Sequence, residues 1–302
     1  MELVYDKSKH RVLTPETVTV PMKVRDDLYI LDEINSIRMY LILGKEKALL
    51  FDTGFGYMDL RPIIQSITDL PLYVVCSHGH DDHVYGNDFF DTVYISEKDY
   101  DLAMFYDNPA ARDKLIRSRL NATPNIRELF DQEWYMSRSI RNCEYKFVKD
   151  GDVFDLGGLT LQVYELPGHT QGSIGLFCPE NGDFFSGDVL MQNHRFMYGH
   201  GAEWASPPNE YIRAINRIDK LPIERIWPAH GDVPAPKTLL TQACEMFADW
   251  ARNGDVERDM EKVGTVFGKA CIFHYKDMVL AYNPKHLEEM RQFMQEHDGA
   301  IM

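Results

Sequence analysis

Leu72-Tyr73-Val74-Val75-Cys76-Ser77-His78-Gly79-His80-Asp81-Asp82-His83 runs from a continuous apolar stretch straight into a loop that is dense in polar ligands. The apolar part is short and β-rich, and it reads as a strand buried on both faces. The seven residues after Cys76 hold three imidazoles and two carboxylates. Imidazole nitrogen and carboxylate oxygen suit first-row divalent metals, and a loop anchored on a strand end can aim alternate side chains inward at small conformational cost.

Working outward, residues 28–31, 37–43 and 48–51 read as strands, with Gly44-Lys45-Glu46-Lys47 as a hairpin turn between the last two. Residues 60–70 place Leu60, Ile63, Ile64 and Ile67 on one helical face, so 48–77 reads as a β-α-β unit. Residues 99–141 are helical and more polar, broken at Pro109 and Pro124, and read as a helical insertion. Strands resume at 145–148, 153–156, 159–165, 174–177 and 184–185, with Gly157-Gly158 as a tight connection. They form a second β-rich half. A helix then begins near Pro208, followed by a strand at 225–227 and a long helix at 236–252. Two short strands flank Lys276-Asp277, and a last helix starts at Pro284. Two β-rich halves with helices outside make a four-layer α/β sandwich the expected architecture, as one domain over 1–302.

The 302 residues are 44% apolar, 12% aromatic and 26% charged, which excludes disordered and fibrous classes. A chain this long buries enough surface to need no disulfide or structural metal, so a metal site is expected to serve chemistry. Asp plus Glu number 47 against 32 Lys plus Arg, and a net charge of -15 repels polyanions, so no nucleic-acid partner is expected. Cys76, Cys143, Cys178, Cys244 and Cys271 lie far apart, with no C-x-x-C pair, as suits reduced thiols. Met1-Glu2-Leu3-Val4-Tyr5-Asp6-Lys7 has no basic n-region followed by an apolar stretch, and no run of about 18 apolar residues occurs. A cytoplasmic protein without a membrane partner is expected; the oligomeric state is left open.

Three later segments each place an ionisable residue just after an expected strand: Pro167-Gly168-His169-Thr170-Gln171-Gly172-Ser173, Ser186-Gly187-Asp188 and Pro228-Ala229-His230-Gly231. Together with the first loop they resemble the metallo-β-lactamase-fold hydrolases, whose pattern is H-x-H-x-D-H, then Gly-His, Gly-Asp and His-Gly in that order. The resemblance spans residues 28–235 and implies an αββα sandwich, with the insertion at 99–141 and a C-terminal extension at 236–302. It also implies that His78, His80 and His169 hold one metal, that Asp82, His83 and His230 hold the other, and that Asp188 bridges them. Asp52, in Phe51-Asp52-Thr53-Gly54, matches a strand-end Asp that orients a ligand from behind. Two divalent ions are implied, zinc first, with manganese or iron compatible. Their bridging hydroxide would be the nucleophile, with Asp82 and Asp188 as the catalytic carboxylates. Ser173 and Ser186 lie in no G-x-S-x-G elbow, which disfavours a serine mechanism.

Within the family, His80 stands where flavodiiron oxidoreductases resemble one another in carrying Glu, and Asp188 stands where β-lactamases lack a bridging Asp. Gly86-Asn87 is similar to the glyoxalase II pattern, without its C-terminal basic set, and Val189-Leu190-Met191 after Asp188 lacks the lactonase Tyr. The expected activity is hydrolysis of a small-molecule ester, thioester or lactone; the alternatives are a phosphodiesterase or nuclease, or an iron-dependent oxidoreductase of the same fold. Phe105, Tyr106, Phe130, Trp134 and Tyr135 of the insertion are candidate walls of the substrate pocket, together with His194, Arg195, Tyr198 and His200.

Overall fold

In the computed structural model, residues 18–122, 131–195, 206–262 and 269–297 are described. The chain divides into two compact units, 1–163 and 164–302.

The first unit begins with β1 (Thr19–Arg25), β2 (Leu28–Glu33), β3 (Ile37–Leu43) and β4 (Ala48–Phe51). It continues through α1 (Arg61–Gln65), β5 (Leu72–Val75), α2 (Asp81–Val84) and β6 (Thr92–Ser96). The insertion follows as α3 (Glu97–Tyr106), α4 (Pro109–Ala122) and α5 (Gln132–Ser137), and then come β7 (Glu144–Val148), β8 (Val153–Asp155) and β9 (Thr160–Glu165). β1 to β7 form one seven-stranded sheet in sequential order. Neighbours are antiparallel from β1 to β4, where tight turns suffice, and parallel from β4 to β7, where each return needs a crossover. Strands β3 and β4 are buried almost throughout, in keeping with sequences that are apolar except for Arg38. Gly44 has no room for a side chain, because a Cβ there would lie 2.0 Å from the Leu156 carbonyl oxygen, where the β8–β9 turn docks on the β3–β4 turn.

The second unit contains β10 (Ile174–Cys178), β11 (Asp183–Gly187), β12 (Asn193–Arg195), α6 (Pro208–Ile218), β13 (Arg225–Pro228) and β14 (Ala235–Pro236). Beyond these lie α7 (Thr238–Asn253), α8 (Val256–Asp259), β15 (Met260–Lys262), β16 (Lys269–Tyr275), β17 (Met278–Tyr282) and α9 (Pro284–Glu296). Strands β14, β13, β11 and β10 are neighbours in that order, with β11 and β13 parallel, so two successive strands deliver their C-terminal ends to the same edge. A second sheet runs β12-β17-β16-β15.

The α/β class holds, and several details depart from the sequence reading. The helix expected over 60–70 closes after one turn: Ser66 Oγ donates to the Ile63 carbonyl at 2.6 Å, and Pro71 disfavours helical backbone at Leu70. Residues 145–148 belong to the first sheet, not to a second half, because β7 pairs parallel to β6. Among the described residues five strands escaped the reading: β1, interrupted by Pro21, the short alternating β6, and β12, β14 and β15, which are only two or three residues long. The expected C-terminal extension, after 236, is packed into the second unit. Phe247, Trp250, Tyr282 and Met290 share one buried cluster with Phe184, Val189, Tyr211 and Ile226, so this region completes the core of the second unit.

Candidate metal centre

The ligand candidates of the first unit stand at the ends of β4 and β5. Asp52 follows β4 in a left-handed conformation, φ +70°, one that Asp tolerates better than most residues. Its N–H donates to the Val75 carbonyl at 2.8 Å, which continues the β4–β5 pairing and brings the carboxylate over the first loop. That carboxylate accepts from Ser77 N–H at 2.6 Å, from the Ser77 hydroxyl at 2.9 Å and from His83 Nδ1 at 2.9 Å. Both Asp52 and His83 are buried.

These bonds determine two tautomers. A carboxylate only accepts, so His83 Nδ1 carries a proton and its lone pair lies on Nε2. Ser77 has one hydroxyl proton and gives it to Asp52, so Ser77 Oγ accepts from His78 Nδ1 at 2.9 Å and His78 also presents its lone pair at Nε2. His80, at the start of α2, brings Nδ1 to 2.9 Å from His78 Nε2. Asp82 lies on α2 beside His83, with Oδ1 3.8 Å from Nε2. Ligand atoms of His78 and His80, of His78 and His83, and of Asp82 and His83 all come within 4.8 Å of each other.

Within the second unit, three ligand candidates follow the ends of strands. After β9, Leu166 N–H donates to the Ser173 carbonyl at 2.8 Å and Thr170 N–H donates to Ser173 Oγ at 3.1 Å, closing a tight loop around His169. Gly168 permits it, since a Cβ would lie 2.6 Å from the Tyr211 ring. After β11, Gly187 at φ +53° turns the chain and Asp188 follows. After β13 comes His230, tied in by the Ala229 N–H bond to the Gly187 carbonyl at 3.0 Å. The outcome is specific: Asp188 Oδ2 is 3.5 Å from His169 Nε2, and Asp188 Oδ1 is 3.4 Å from His230 Nε2. Each carboxylate oxygen thus faces a different imidazole.

This donor chemistry fits divalent metal. Neutral imidazoles with one nitrogen anchored by an acceptor, beside carboxylates held in a dry environment, are what such ions select. Cys76 is not part of it: burial and the charge of Asp52 push its thiol well above the ordinary range, and its Sγ–H donates to Asn87 Oδ1 at 3.2 Å.

Of the candidate walls, Tyr106 and Tyr135 are buried core residues, whereas Phe105 is 38% and Trp134 37% exposed. His194 and Arg195 fall on β12, for which the backbone alone is described; Phe130, Tyr198 and His200 lie outside the described residues. Sequence reasoning missed Ser77, which holds the His78 tautomer. Ser77 has no motif of its own; it is a small polar residue adjoining one. Asn87, read from sequence only as part of the Gly86-Asn87 likeness, is buried: its Oδ1 accepts from Thr53 Oγ1 at 2.7 Å and its Nδ2 donates to Tyr145 Oη at 3.2 Å.

The family model described as "Metallo-beta-lactamase superfamily" matches residues 35–230. The acyl-coenzyme A thioesterase MBLAC2 of Homo sapiens is 28% identical over 217 residues, 65% of this chain and 73% of that protein. Hydroxyacylglutathione hydrolase of Crocosphaera subtropica is 36% identical over 90 residues, 28% of this chain and 33% of that protein, so the match spans about a third of its length. Among solved structures, a metallo-β-lactamase family protein from Thermus thermophilus aligns with a TM-score of 0.54 at 16% identity, covering 93% of each chain. A metallo-β-lactamase from Pontibacter korlensis aligns at 0.52 and 20% identity over 74% of this chain and 96% of that one. At such identities the likeness is one of fold.

Proposed function

This chain belongs to the metallo-β-lactamase superfamily, and we propose that within it the protein is a metal-dependent hydrolase of small-molecule acyl thioesters with a dinuclear centre. His78, His80 and His169 would hold one divalent ion and Asp82, His83 and His230 the other, with Asp188 between them. The observation that carries this reading is the two-sided Asp188 carboxylate, 3.5 Å from His169 and 3.4 Å from His230. A ligand to one ion needs one such approach; a bridging ligand needs two.

Two divalent ions held there would polarise an acyl carbonyl and bring the pKa of water toward neutrality. The protein's own part is positional. Asp52 and Ser77 keep protons on His83 Nδ1 and His78 Nδ1, so both rings offer Nε2 without reorganisation. Two buried serines are occupied as clamps: Ser173 Oγ meets Thr170 Oγ1 at 2.7 Å, and the Ser186 hydroxyl donates to the Leu190 carbonyl at 3.2 Å. Neither is poised as a nucleophile.

The thioester class is supported by the relatives' names, which describe acyl groups carried on coenzyme A and on glutathione, both small thiols. A net charge of -15 argues against polynucleotide substrates. We assign zinc first, and a cytoplasmic setting in line with five free cysteines.

The test is a panel of acyl-coenzyme A, acyl-glutathione, carboxyl ester, lactone and phosphodiester substrates, run on protein of measured metal content. Turnover of thioesters at about two metals per chain is expected. Full activity with one metal, or salt-sensitive cleavage of oligonucleotides instead of thioesters, would overturn the reading.

A further inference from the structure

Helix α3 presents one continuous buried stripe, Asp99, Leu102, Ala103 and Tyr106, at the i, i+3, i+4, i+7 spacing of a single helix face. A charged residue in such a stripe calls for a partner. It has one: Asp99 Oδ2 accepts from the backbone N–H of Gly79 at 2.9 Å. Gly79 separates His78 from His80. A Cβ on Gly79 would lie 2.6 Å from the Asp99 carbonyl oxygen, 2.9 Å from Ala103 N and 3.2 Å from Leu102 Cβ, so the loop backbone rests directly on the helix. One turn further on, the Tyr106 ring meets the His80 ring edge-on, with centroids 5.7 Å apart. The first helix of the insertion therefore touches the loop at a peptide N–H, at an α-carbon and at a candidate ligand ring.

Two ligands at i and i+2 are oriented by the peptides that join them, and a glycine there leaves those peptides free to rotate. A charge-assisted bond to the Gly79 N–H removes that freedom on the side nearest His78. We propose that Asp99 is a positioning residue for the metal loop: by fixing the Gly79 peptide it sets the angle between the His78 and His80 rings, and α3 is the support of the centre and not merely a wall of the substrate pocket. This inference rests on the metallohydrolase reading above.

The experiment titrates metal-free wild type, Asp99→Asn, Asp99→Ala and Asp99→Ser with Co(II), following d–d absorption and competition with a chelator. The asparagine amide oxygen can still accept from Gly79, so Asp99→Asn should keep wild-type affinity and spectrum. Asp99→Ala and Asp99→Ser should bind the first Co(II) about 10–100-fold more weakly, with an altered spectrum, and lose kcat more than they raise KM. A folded Asp99→Ala protein with unchanged Co(II) affinity and spectrum overturns the proposal while leaving the metallohydrolase reading intact. Wild type that takes up no Co(II) overturns both. Should alanine and serine prevent folding, amide hydrogen exchange in the metal-free wild type decides: protection at Gly79 is expected, and exchange at the rate of an open loop overturns the proposal.

Discussion

Single side chains at this site act mainly by settling where protons reside. Asp52 accepts three hydrogen bonds, two from Ser77 and one from His83, and through them makes two imidazoles ready donors. Asp52→Ala should therefore weaken metal binding by about 10–100-fold in a chelator competition. Asp52→Asn should lose less, because Asn tolerates φ +70° and keeps one acceptor oxygen. Asp188→Ala removes the two-sided carboxylate and should cut turnover by orders of magnitude. Ser173→Ala separates structure from chemistry. Its hydroxyl holds the Thr170 N–H and hydroxyl inside the His169 loop, so its loss should cost about 1–3 kcal/mol in a urea titration while leaving most of kcat. A trapped acyl-serine would contradict this.

Among the elements, the helices between β6 and β7 are fastened to the rest of the first unit by Arg138 and braced among themselves by Arg112. Arg138 binds Asp88 through Nε and Nη2, donates to the Gly56 and Tyr85 carbonyls at 2.6 and 2.8 Å, and lies 3.9 Å over the Phe89 ring. Arg112 pairs with Asp107 at 2.9 Å, with both side chains buried, and donates to the Arg138 carbonyl at 2.7 Å. A planar fork is needed to reach several acceptors at once, which lysine cannot do. Arg138→Met would leave Asp88 and two carbonyls without this donor, and a loss of about 3–5 kcal/mol is expected from thermal or urea unfolding. Arg138→Lys should recover little of it. Stability recovered fully by lysine would show that charge alone matters here.

For the molecule as a whole, pH and thiol chemistry give two checks. His286 on α9 is buried, and burial lowers its pKa from 6.5, opposed by Glu289 and reinforced by Lys285. With the folded value below the unfolded one, its contribution is fully present above about pH 6.5 and is lost as the pH falls through the folded value, since the unfolded chain binds the proton more readily. His286→Gln should flatten the decline in urea midpoint between about pH 7.5 and 5; an unchanged slope would place that acid sensitivity elsewhere. All five thiols are raised by burial, Cys143 to about 11 and Cys178 and Cys244 to about 12. Alkylating agents at neutral pH should thus spare activity and label the cysteines only in denaturant. Among the described residues no helix is long and apolar enough to cross a membrane.

Sequence alone determined the ligand candidates and the order of the strands that carry them, because a buried strand ending in a dense run of His and Asp is a local pattern. Hairpin positions such as Gly44-Lys45 and Gly157-Gly158 were equally legible, since turn chemistry is local too. Tertiary structure decided what depends on partners distant in the chain. The proton on His78 follows from Asp52, 26 residues away, acting through Ser77. The place of β7 follows from β6, across the whole insertion. The role of Asp99 follows from a peptide 20 residues earlier. Periodicity can mark Asp99 as lying on a buried helix face, but a carboxylate there has no meaning until folding brings up the N–H that it accepts.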